Sequence, residues 1–331
     1  MEEVKVIING EGNIGSGIVR VLAQRKGVKI SAVIDIDPAK IGKDAGVVAG
    51  IDPIGVIIEP DLRVACKREK ADVAINVASS AEAAVTFEQM IPAIENGINV
   101  IVANSATVCL RQGEEELAER VDAFCKEHGV TYLGMGNTQT TQRLILALAE
   151  GASNIKSIKF THHADVSAFS MESNANQLGI SLTKEEYQRR IASGKPALVK
   201  WRSDVCYGIA SKMGWKLDRV DMVKDLLTDE NGIITTNVSS FKGYVGDEAK
   251  VIMDWVFLLD PNGEYYDRVE IDGEPYIDSV NKFSPDRGKA STYSSICNAL
   301  PIVIKGAPGY MPTYDIENCT PQEGDDYRDR L

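Results

Sequence analysis

The sequence predicts an α/β protein in which a doubly wound parallel sheet is followed by an α+β part with a mainly antiparallel sheet. Short apolar runs alternate with amphipathic helical segments up to about residue 135, as in parallel sheets that helices cover on both faces. The first of these runs ends in a Gly-rich turn. Farther along the chain, long segments rich in β-branched and aromatic residues are separated by short turns, which is typical of antiparallel sheets.

The elements of the first part follow from the spacing of their apolar residues. Val4–Ile8 is nearly continuously apolar, as expected for a parallel strand that is buried on both faces. Ile14, Ile18 and Leu22 recur at helical spacing after the turn, and this stripe stops at Gly27. Two further helices and four further strands are predicted here, in chain order Lys29–Ile34, Val73–Val77, Ala81–Glu95 (helix), Val100–Val102, Glu114–Glu127 (helix) and Val130–Leu133.

The second part begins with a predicted crossover helix around Leu144–Leu148. Thr183 and Glu186 have the spacing of a capping box, so a helix is expected to start there and to end at Gly194. Turns are predicted at Gly246-Asp247 and at Asp272-Gly273. The other predicted elements are the strands Asn154–Thr161, Ile233–Val245, Lys250–Leu259 and Tyr266–Ile271, the helix Ala290–Ile304, and a solvated or loosely docked tail after Asp315.

Composition argues against several classes of function. The 331 residues suffice for two domains, and a formal net charge of −12 argues against a nucleic-acid partner. No apolar stretch approaches the roughly 18–20 residues that cross a bilayer, and Glu2 and Glu3 directly follow Met1, so we expect a cytoplasmic protein without a membrane partner. The six cysteines lie far apart without zinc-ligand spacing, so no metal site is expected.

Gly10-Glu-Gly12-Asn-Ile-Gly15 matches the G-x-G-x-x-G pattern of a dinucleotide-binding turn. It follows a predicted strand, opens an amphipathic helix, and Asp35 lies 20 residues after Gly15, at the end of the second strand. This context is that of the Rossmann fold. Gly10 permits the tight turn, Gly12 lets the backbone approach a pyrophosphate, and Gly15 lets the helix pack on the strand.

The same pattern predicts the cofactor. Asp35 is expected to bind the adenosine ribose and to repel a 2′-phosphate, which favours NAD, while Lys40 and Lys43 weaken that preference and leave NADP open. Glu11 suits such a site only if its carboxylate points to solvent, because it would otherwise repel the pyrophosphate. The helix N-terminus and the loops after the predicted strands Val73–Val77 and Val100–Val102 complete the site. The predicted cofactor-binding residues are Gly10, Gly12, Asn13, Ile14, Gly15, Asp35, Ala78, Ser79, Ser80 and Ala103.

Six further segments have a distinctive sequence, namely Asp35–Asp44, Gly134–Asn137, Leu178–Tyr187, Gly214–Leu217, Cys297–Pro301 and Ala307–Tyr310. In them and in the Gly-rich turn, the chain resembles 2,4-diaminopentanoate dehydrogenases. Those enzymes are relatives of native amine dehydrogenases, with a nucleotide domain similar to that of dihydrodipicolinate reductase. The resemblance covers nearly the whole chain. It implies a homodimeric NAD(P)-dependent enzyme that oxidises a primary amine to an imine, and that releases a ketone and ammonia after hydrolysis.

The chain departs from that family at two places. After the strand that corresponds to Val100–Val102, the family carries a Glu-rich segment, whereas this chain has Asn104-Ser105-Ala106-Thr107. The family's Asn-Pro-Gly at the junction is Asn137-Thr138-Gln139 here. The family's acid is placed to hold an ammonium or iminium ion, and amide or hydroxyl groups do not replace its charge. Asn104, Ser105 and Asn137 are kept as candidate catalytic residues.

His162 and His163 are the candidates for proton transfer. They follow a predicted strand and resemble the His-His segment of dihydrodipicolinate reductase, in which one imidazole is the proton donor. Either could act with Asp165, since imidazole titrates near neutral pH. Adjacent side chains of a strand face opposite ways, so at most one of the two would reach a substrate. The alternative is a purely structural histidine pair.

The leading interpretation is an NAD(P)-dependent oxidoreductase that acts on an amine, imine or ketone of a small molecule. The departure at Asn104 leaves two alternatives open: an imine or ketone reductase that does not handle ammonia, and a catalytically inert NAD-binding sensor. We expect a dinucleotide-binding domain over residues 1–136 and a substrate and dimerisation domain over residues 137–290. Residues 291–331 are expected to return to the first domain as a helix and tail.

Overall fold

A computed structural model describes residues 3–78, 82–111, 114–135, 139–167, 171–193, 203–259, 265–282, 287–316 and 326–330. The strands in these ranges are β1 (Val4–Asn9), β2 (Val28–Ile34), β3 (Ile58–Glu59), β4 (Val73–Asn76), β5 (Asn99–Val102), β6 (Thr131–Gly134), β7 (Ser153–Asp165), β8 (Arg219–Thr228), β9 (Ile234–Val245), β10 (Glu248–Leu258), β11 (Tyr266–Glu274), β12 (Ile277–Lys282) and β13 (Gly309–Pro312). The helices are α1 (Asn13–Leu22), α2 (Ala45–Val48), α3 (Leu62–Glu69), α4 (Ala83–Ile94), α5 (Glu115–Glu127), α6 (Gln139–Ala149), α7 (Met171–Leu178), α8 (Lys184–Ala192), α9 (Ser203–Lys212), α10 (Arg287–Asn298) and α11 (Leu300–Lys305).

The chain folds into two compact units. The first consists of Met1–Thr140 and Gly288–Leu331, and the second of Thr141–Arg287. None of the described helices combines the length and the apolarity that crossing a membrane requires.

The first unit is built on a parallel sheet. Its described strands have the order β13-β6-β5-β4-β1-β2-β3, and every neighbouring pair is parallel. Six of them have the 3-2-1-4-5-6 order of the Rossmann fold, with β1 and β4 at the point where the order reverses. All residues of β4 and β6 are buried, as expected for strands that helices cover on both faces. The predicted doubly wound sheet is confirmed.

The C-terminal segment adds β13 to this sheet and packs its last described residues on the same unit. Tyr327 is only 1% exposed, its hydroxyl donates to the Cys297 carbonyl at 2.8 Å, and its N–H donates to the Lys26 carbonyl at 3.1 Å. The expectation of a solvated or loosely docked tail is therefore wrong for these residues. A buried aromatic ring with a satisfied hydroxyl holds the end of the chain, and the acidic residues around it do not prevent this.

The second unit is built on a mixed sheet with the order β12-β11-β7-β10-β9-β8 among the described strands. β7 and β10 run parallel, and the other neighbouring pairs are antiparallel, so the predicted mainly antiparallel sheet is confirmed. Alternate residues of β7, β9 and β10 are buried, as in a sheet with one covered face. That face forms a core with helical residues such as Ile145, Tyr187 and Ile209.

Three predicted boundaries are wrong for local reasons. The turn expected at Asp272-Gly273 is longer than predicted: the last β11–β12 pair is Ile271–Ile277, while Asp272 and Glu274 stay paired with β7. The helix expected over residues 290–304 is split into α10 and α11, since Pro301 lacks an N–H and is tolerated in the first turn of a helix. β7 extends to Asp165, so His162 and His163 lie inside the strand and not after it.

Candidate functional site

The Gly-rich turn between β1 and α1 has a backbone that side chains would obstruct at two of its three glycines. Gly10 has a φ of +103°, and a Cβ there would lie 2.5 Å from the Cα of Ala78. A Cβ on Gly15 would lie 2.0 Å from the Gly10 carbonyl oxygen. A Cβ on Gly12, in contrast, would meet no heavy atom of the described residues within 4 Å. The conformation of the turn thus requires glycine at positions 10 and 15, whereas Gly12 borders open space.

This open space adjoins the N-terminus of α1. Gly12 is the N-cap of the helix and makes no side-chain capping bond, and its carbonyl accepts from the Ser16 N–H at 2.9 Å. The N–H groups of Asn13, Ile14 and Gly15 precede the first intrahelical bond, so the helix itself does not satisfy them. Together with the positive end of the helix dipole, they attract phosphate oxygens. The turn therefore fits the diphosphate of a dinucleotide.

Asp35 lies beside the turn and is held by three donors. Its Oδ2 accepts from the Glu11 N–H at 2.9 Å and from Lys40 Nζ at 2.8 Å, and its Oδ1 accepts from the Asp37 N–H at 2.9 Å. Burial alone raises the pKa of Asp35, but these hydrogen bonds hold that pKa below its usual value. A carboxylate offers about four acceptor positions, so one is left for a ribose hydroxyl.

Glu11 does not point to solvent, and the expectation that it must do so in a dinucleotide site is not met. Its side chain is buried, at 1% exposure, and neither carboxyl oxygen has a hydrogen-bond partner among the described residues. Burial raises the pKa of Glu11 to about 7. The positive charge of Lys40 lowers this pKa, whereas the negative charges of Asp35 and Asp44 raise it. A large share of Glu11 is therefore protonated at neutral pH.

His162 and Asp267 form a buried pair in the second unit. The two residues lie directly opposite each other on β7 and β11, and His162 Nδ1 is 2.7 Å from Asp267 Oδ1. The rings of Trp255, Phe257 and Tyr265 lie 5.1, 5.7 and 5.4 Å from the imidazole, measured between centroids. An ionised carboxylate can only accept a hydrogen bond, so Nδ1 carries the hydrogen in this pair.

His163 faces the opposite side of the sheet from His162. Its imidazole stacks on Tyr266 with the ring centroids 4.9 Å apart and the planes 7° from parallel. Asp165, the partner expected from the sequence, accepts from the N–H and the hydroxyl of Ser167 at 3.0 and 2.5 Å. The structure thus gives His162 a different carboxylate, Asp267, because an antiparallel strand pairing brings that residue next to it.

Comparisons with known protein families match both parts of the chain. Residues 4–133 match the model of the dihydrodipicolinate reductase N-terminus. Residues 140–328 match the model of the 2,4-diaminopentanoate dehydrogenase C-terminal domain. The chain belongs to the 2,4-diaminopentanoate dehydrogenase family.

Individual members and neighbours of the 2,4-diaminopentanoate dehydrogenase family align over nearly the full length. The 2,4-diaminopentanoate dehydrogenase of Acetoanaerobium sticklandii is 28% identical over 96% of this chain and 94% of its own length. The amine dehydrogenase of Streptomyces virginiae is 20% identical over 95% of this chain and 96% of its own. The solved structure of the amine dehydrogenase from Mycobacterium smegmatis has a TM-score of 0.80 at 19% identity and covers 97% of this chain and 98% of that one.

As a member of the 2,4-diaminopentanoate dehydrogenase family with an open dinucleotide turn, the chain is an NAD(P)-dependent dehydrogenase. NAD is the cofactor that the Asp35 carboxylate favours. An inert NAD-binding sensor and a reductase without ammonia handling are not favoured, because the relatives that span the whole chain are named as dehydrogenases.

The loops after β4 and β5 contain the other predicted residues. The Ala78 N–H donates to Asn76 Oδ1 at 3.1 Å, and the Ala103 N–H donates to the Asn76 carbonyl at 3.0 Å. Both loops are thus tied to the end of β4, beside the turn.

Asn104 and Ser105 follow β5 directly. Asn104 is 6% exposed, its amide donates to Thr86 Oγ1 at 2.8 Å, and its Oδ1 accepts from the Ala106 N–H at 3.0 Å. Ser105 begins a short 3-10 turn. Ser79, Ser80 and Asn137 lie outside the described residues. The cofactor or catalytic roles of all these residues stay predictions.

Asp267 was not predicted as a functional residue, although the pattern of β11 indicates that it is buried. Along β11 the buried positions are Asp267, Val269 and Ile271. A charged residue in phase with the apolar residues of a strand indicates a buried carboxylate, and a buried carboxylate needs a partner. His162 is in the same way in phase with the buried Phe160 on β7. The two periodicities place both groups in one core, but only the strand order makes them neighbours.

Among the described residues, no group of three or more His, Cys, Asp or Glu could hold a metal ion. The described cysteines are all buried free thiols. Burial raises the pKa of Cys66 to about 11 and that of Cys125 to about 12, so both are thiols and not nucleophilic thiolates at neutral pH.

Proposed function

We propose that the chain catalyses the reversible NAD(P)-dependent oxidation of a small primary amine to a ketone and ammonia. The observation that carries the proposal is the Gly10–Gly15 turn, with its open space at Gly12 and the Asp35 carboxylate beside it, in a chain of this family. The amine as the reacting group is supported by two full-length relatives that are named for amine substrates. In this proposal the first unit binds the nucleotide and the second binds the substrate.

The proposed reaction moves protons as well as a hydride. An ammonium ion must lose a proton before its carbon can give up hydride, and the resulting iminium ion then takes up water to yield the ketone and ammonium. Bound NAD(P) supplies the hydride acceptor. Oxidation releases one net proton, so the protein needs a group that accepts and donates protons near neutral pH.

We assign this proton transfer to the imidazole of His162, which Asp267 orients. Asp267, bonded to Nδ1 at 2.7 Å, fixes the tautomer and the orientation of the ring and stabilises its protonated form. The rings of Trp255, Phe257 and Tyr265 pack around the imidazole and hold it in place. Asn104, Ser105 and Asn137 stay candidates for neutral polar contacts with the substrate.

The assay for this function follows the absorbance of the reduced nicotinamide with a panel of substrates. The panel contains 2,4-diaminopentanoate, small aliphatic amines, and alcohols of the same carbon skeletons. We expect reduction of NAD with one or more amines and none with the matched alcohols. In the reverse direction, NADH consumption with the corresponding ketone should require ammonium. Turnover of alcohols, or ketone reduction that ammonium does not affect, would contradict the proposal.

We further propose that the chain is a homodimer, and that the subunits meet on the face of the second unit's sheet that lies opposite its core. Val238 and Val256 are neighbours on β9 and β10, are partly exposed, and lie on this face. Lys159 forms ion pairs with Asp254 and Glu270 at 3.8 and 3.7 Å beside them. Light scattering should give twice the chain mass for the wild type and the single-chain mass for Val256→Glu. A monomeric wild type would exclude the dimer.

A further inference from the structure

Dinucleotide binding does not explain why the Glu11 side chain is buried in the turn. It stands between the first two glycines of the turn, directly before the Gly12 backbone that borders the open space. Most side chains of this size and polarity are exposed, yet Glu11 is 1% exposed and its carboxyl oxygens have no partner among the described residues. A buried, unpartnered carboxyl in a phosphate-binding turn is costly when it is ionised.

The backbone of Glu11 is fixed on both sides. Its N–H donates to Asp35 Oδ2 at 2.9 Å, and its carbonyl accepts from Lys40 Nζ at 2.9 Å. These bonds are made by the same carboxylate and ammonium that flank the predicted ribose site. Moving the Glu11 side chain out to solvent would therefore disturb the turn itself. The simpler way to remove its charge is to bind a proton.

The charged groups around Glu11 do not neutralise it. Lys40 is the cation that acts on it, and its Nζ is already bonded to Asp35 at 2.8 Å and lies 3.9 Å from Asp37. Asp35 and Asp44 are like charges, and both act to keep the carboxyl of Glu11 protonated.

Asp44 is also occupied by the backbone of its own loop. Its carboxylate accepts from the N–H groups of Gly46, Val47, Ile54 and Gly55 at 2.8, 3.3, 3.1 and 2.7 Å. It is therefore fixed in place as a negative charge, and it offers Glu11 no compensation. A dinucleotide would add two more negative phosphate charges next to the neighbouring Gly12 backbone.

We propose that Glu11 couples dinucleotide affinity to pH: its carboxyl is neutral when the diphosphate occupies the turn, so that binding takes up a proton from solvent. The proposal rests on the dinucleotide binding proposed above and adds a residue that this chain places in the turn. Ionised Glu11 repels the diphosphate, whereas the neutral carboxyl does not. Glu11 is thus a positioning and charge-setting residue, and it takes no part in hydride transfer.

The sign of the pH dependence follows from this coupling. Burial raises the pKa of Glu11 to about 7 in the free protein, and bound phosphates raise that pKa further. Affinity is then highest below pH 6 and falls as Glu11 ionises. If the phosphates raise the pKa by about one pH unit, the dissociation constant increases about tenfold between pH 6 and pH 9.

The test is calorimetric titration with NADH at pH 6, 7, 8 and 9, for the wild type, Glu11→Gln and the control Glu127→Gln. Glu127 ends α5, outside the turn. NADH is the probe because the 2′-phosphate of NADPH itself titrates near pH 6. We expect the dissociation constant to rise about tenfold with pH for the wild type and for Glu127→Gln. For Glu11→Gln it should stay low and change less than about twofold.

Repeating the titration at pH 7 in buffers of different ionisation enthalpy measures proton uptake directly. The wild type should take up a substantial fraction of a proton per NADH, and Glu11→Gln almost none. A flat affinity profile for the wild type, or an unchanged pH dependence in Glu11→Gln, would overturn the coupling while NADH binding itself stood. If NADH fails to bind to the wild type at every pH, the proposed function fails as well, which separates the two outcomes.

Thermal unfolding without cofactor gives a second readout. Because burial raises the pKa of Glu11 from 4.5 to about 7, the folded state keeps a proton that the unfolded chain loses, and stability falls progressively as the pH rises from about 4.5 to about 7, with the last part of the loss above pH 6. Glu11→Gln should therefore lose less stability than the wild type between pH 6 and pH 9. Equal losses in the two proteins would show that Glu11 ionises freely, and would contradict the proposal.

Discussion

The Gly10–Gly15 turn and the His162–Asp267 pair are built in different ways. The turn is formed by backbone groups, and a carboxylate 24 residues from Glu11 completes it. The pair consists of two side chains that are 105 residues apart and that meet because β7 and β11 are aligned in register. A substitution in the turn should therefore act on folding and cofactor affinity, and one in the pair on the rate of turnover. The proposed division between binding and proton transfer can be tested separately at each place.

The largest expected effect separates the glycines within the turn. In Gly15→Val, a Cβ would lie 2.0 Å from a carbonyl oxygen, so the helix must move away from β1, and we expect a loss of about 3 kcal/mol or more in unfolding free energy. In Gly12→Val the Cβ enters open space, and the loss should be about 1 kcal/mol or less. Chemical denaturation measures both. Equal losses would mean that Gly12 also packs against the fold.

The next effect concerns the buried pair. Asp267→Asn keeps the shape of the side chain but removes the charge that stabilises a protonated His162, so we expect kcat to fall about 100-fold or more. The dissociation constant for NADH should stay within about twofold. The control is Asp165→Asn. In the wild type the Asp165 carboxylate is bonded to Ser167, so this variant should change kcat less than about threefold. A larger effect at Asp165 than at Asp267 would contradict the assignment of Asp267 as the carboxylate that acts with His162.

A smaller effect is expected in the choice between NAD and NADP. Lys40 pairs with Asp35 at 2.8 Å and would offer a positive charge to a 2′-phosphate. Lys40→Gln removes that charge, so binding of NADPH should weaken about tenfold relative to NADH. Titration of one preparation with both dinucleotides measures the ratio. If the ratio does not change, Lys40 serves only to hold Asp35 and the turn.

The smallest effect lies in the second unit, away from the pair. Thr183 caps α8, and its hydroxyl accepts from the Glu186 N–H at 3.2 Å. Thr183→Ala should reduce the unfolding free energy by about 1 kcal/mol and leave kcat unchanged. Denaturation and turnover assays check the two statements. A loss of activity as large as that of Asp267→Asn would show that turnover is sensitive to any weakening of this unit.

The turn could be predicted from the sequence because its requirements are local. The spacing of Gly10, Gly12 and Gly15 specifies where a Cβ is tolerated, and the continuous apolar run of β1 before them indicates a buried parallel strand. The capping box at Thr183 is local in the same sense, and it correctly marks the start of α8.

The pair could not be predicted, because it depends on which strands become neighbours. Period-two patterns show that His162 and Asp267 are buried, but they do not give the order β12-β11-β7-β10 that places the two residues side by side. Asp165, nearer in sequence, was the expected partner for that reason. β8 was missed because it is an edge strand with mostly exposed residues, and it has no apolar alternation to identify it.

The most direct test of the account is the titration of the wild type and Gly12→Val with NADH, on preparations that unfold at similar temperatures. The account predicts saturable binding to the wild type, with one NADH per chain, and at least 100-fold weaker binding to Gly12→Val, because the added side chain fills the space next to the Gly12 backbone. Equal affinity in the two folded proteins would contradict the claim that this turn holds the dinucleotide diphosphate.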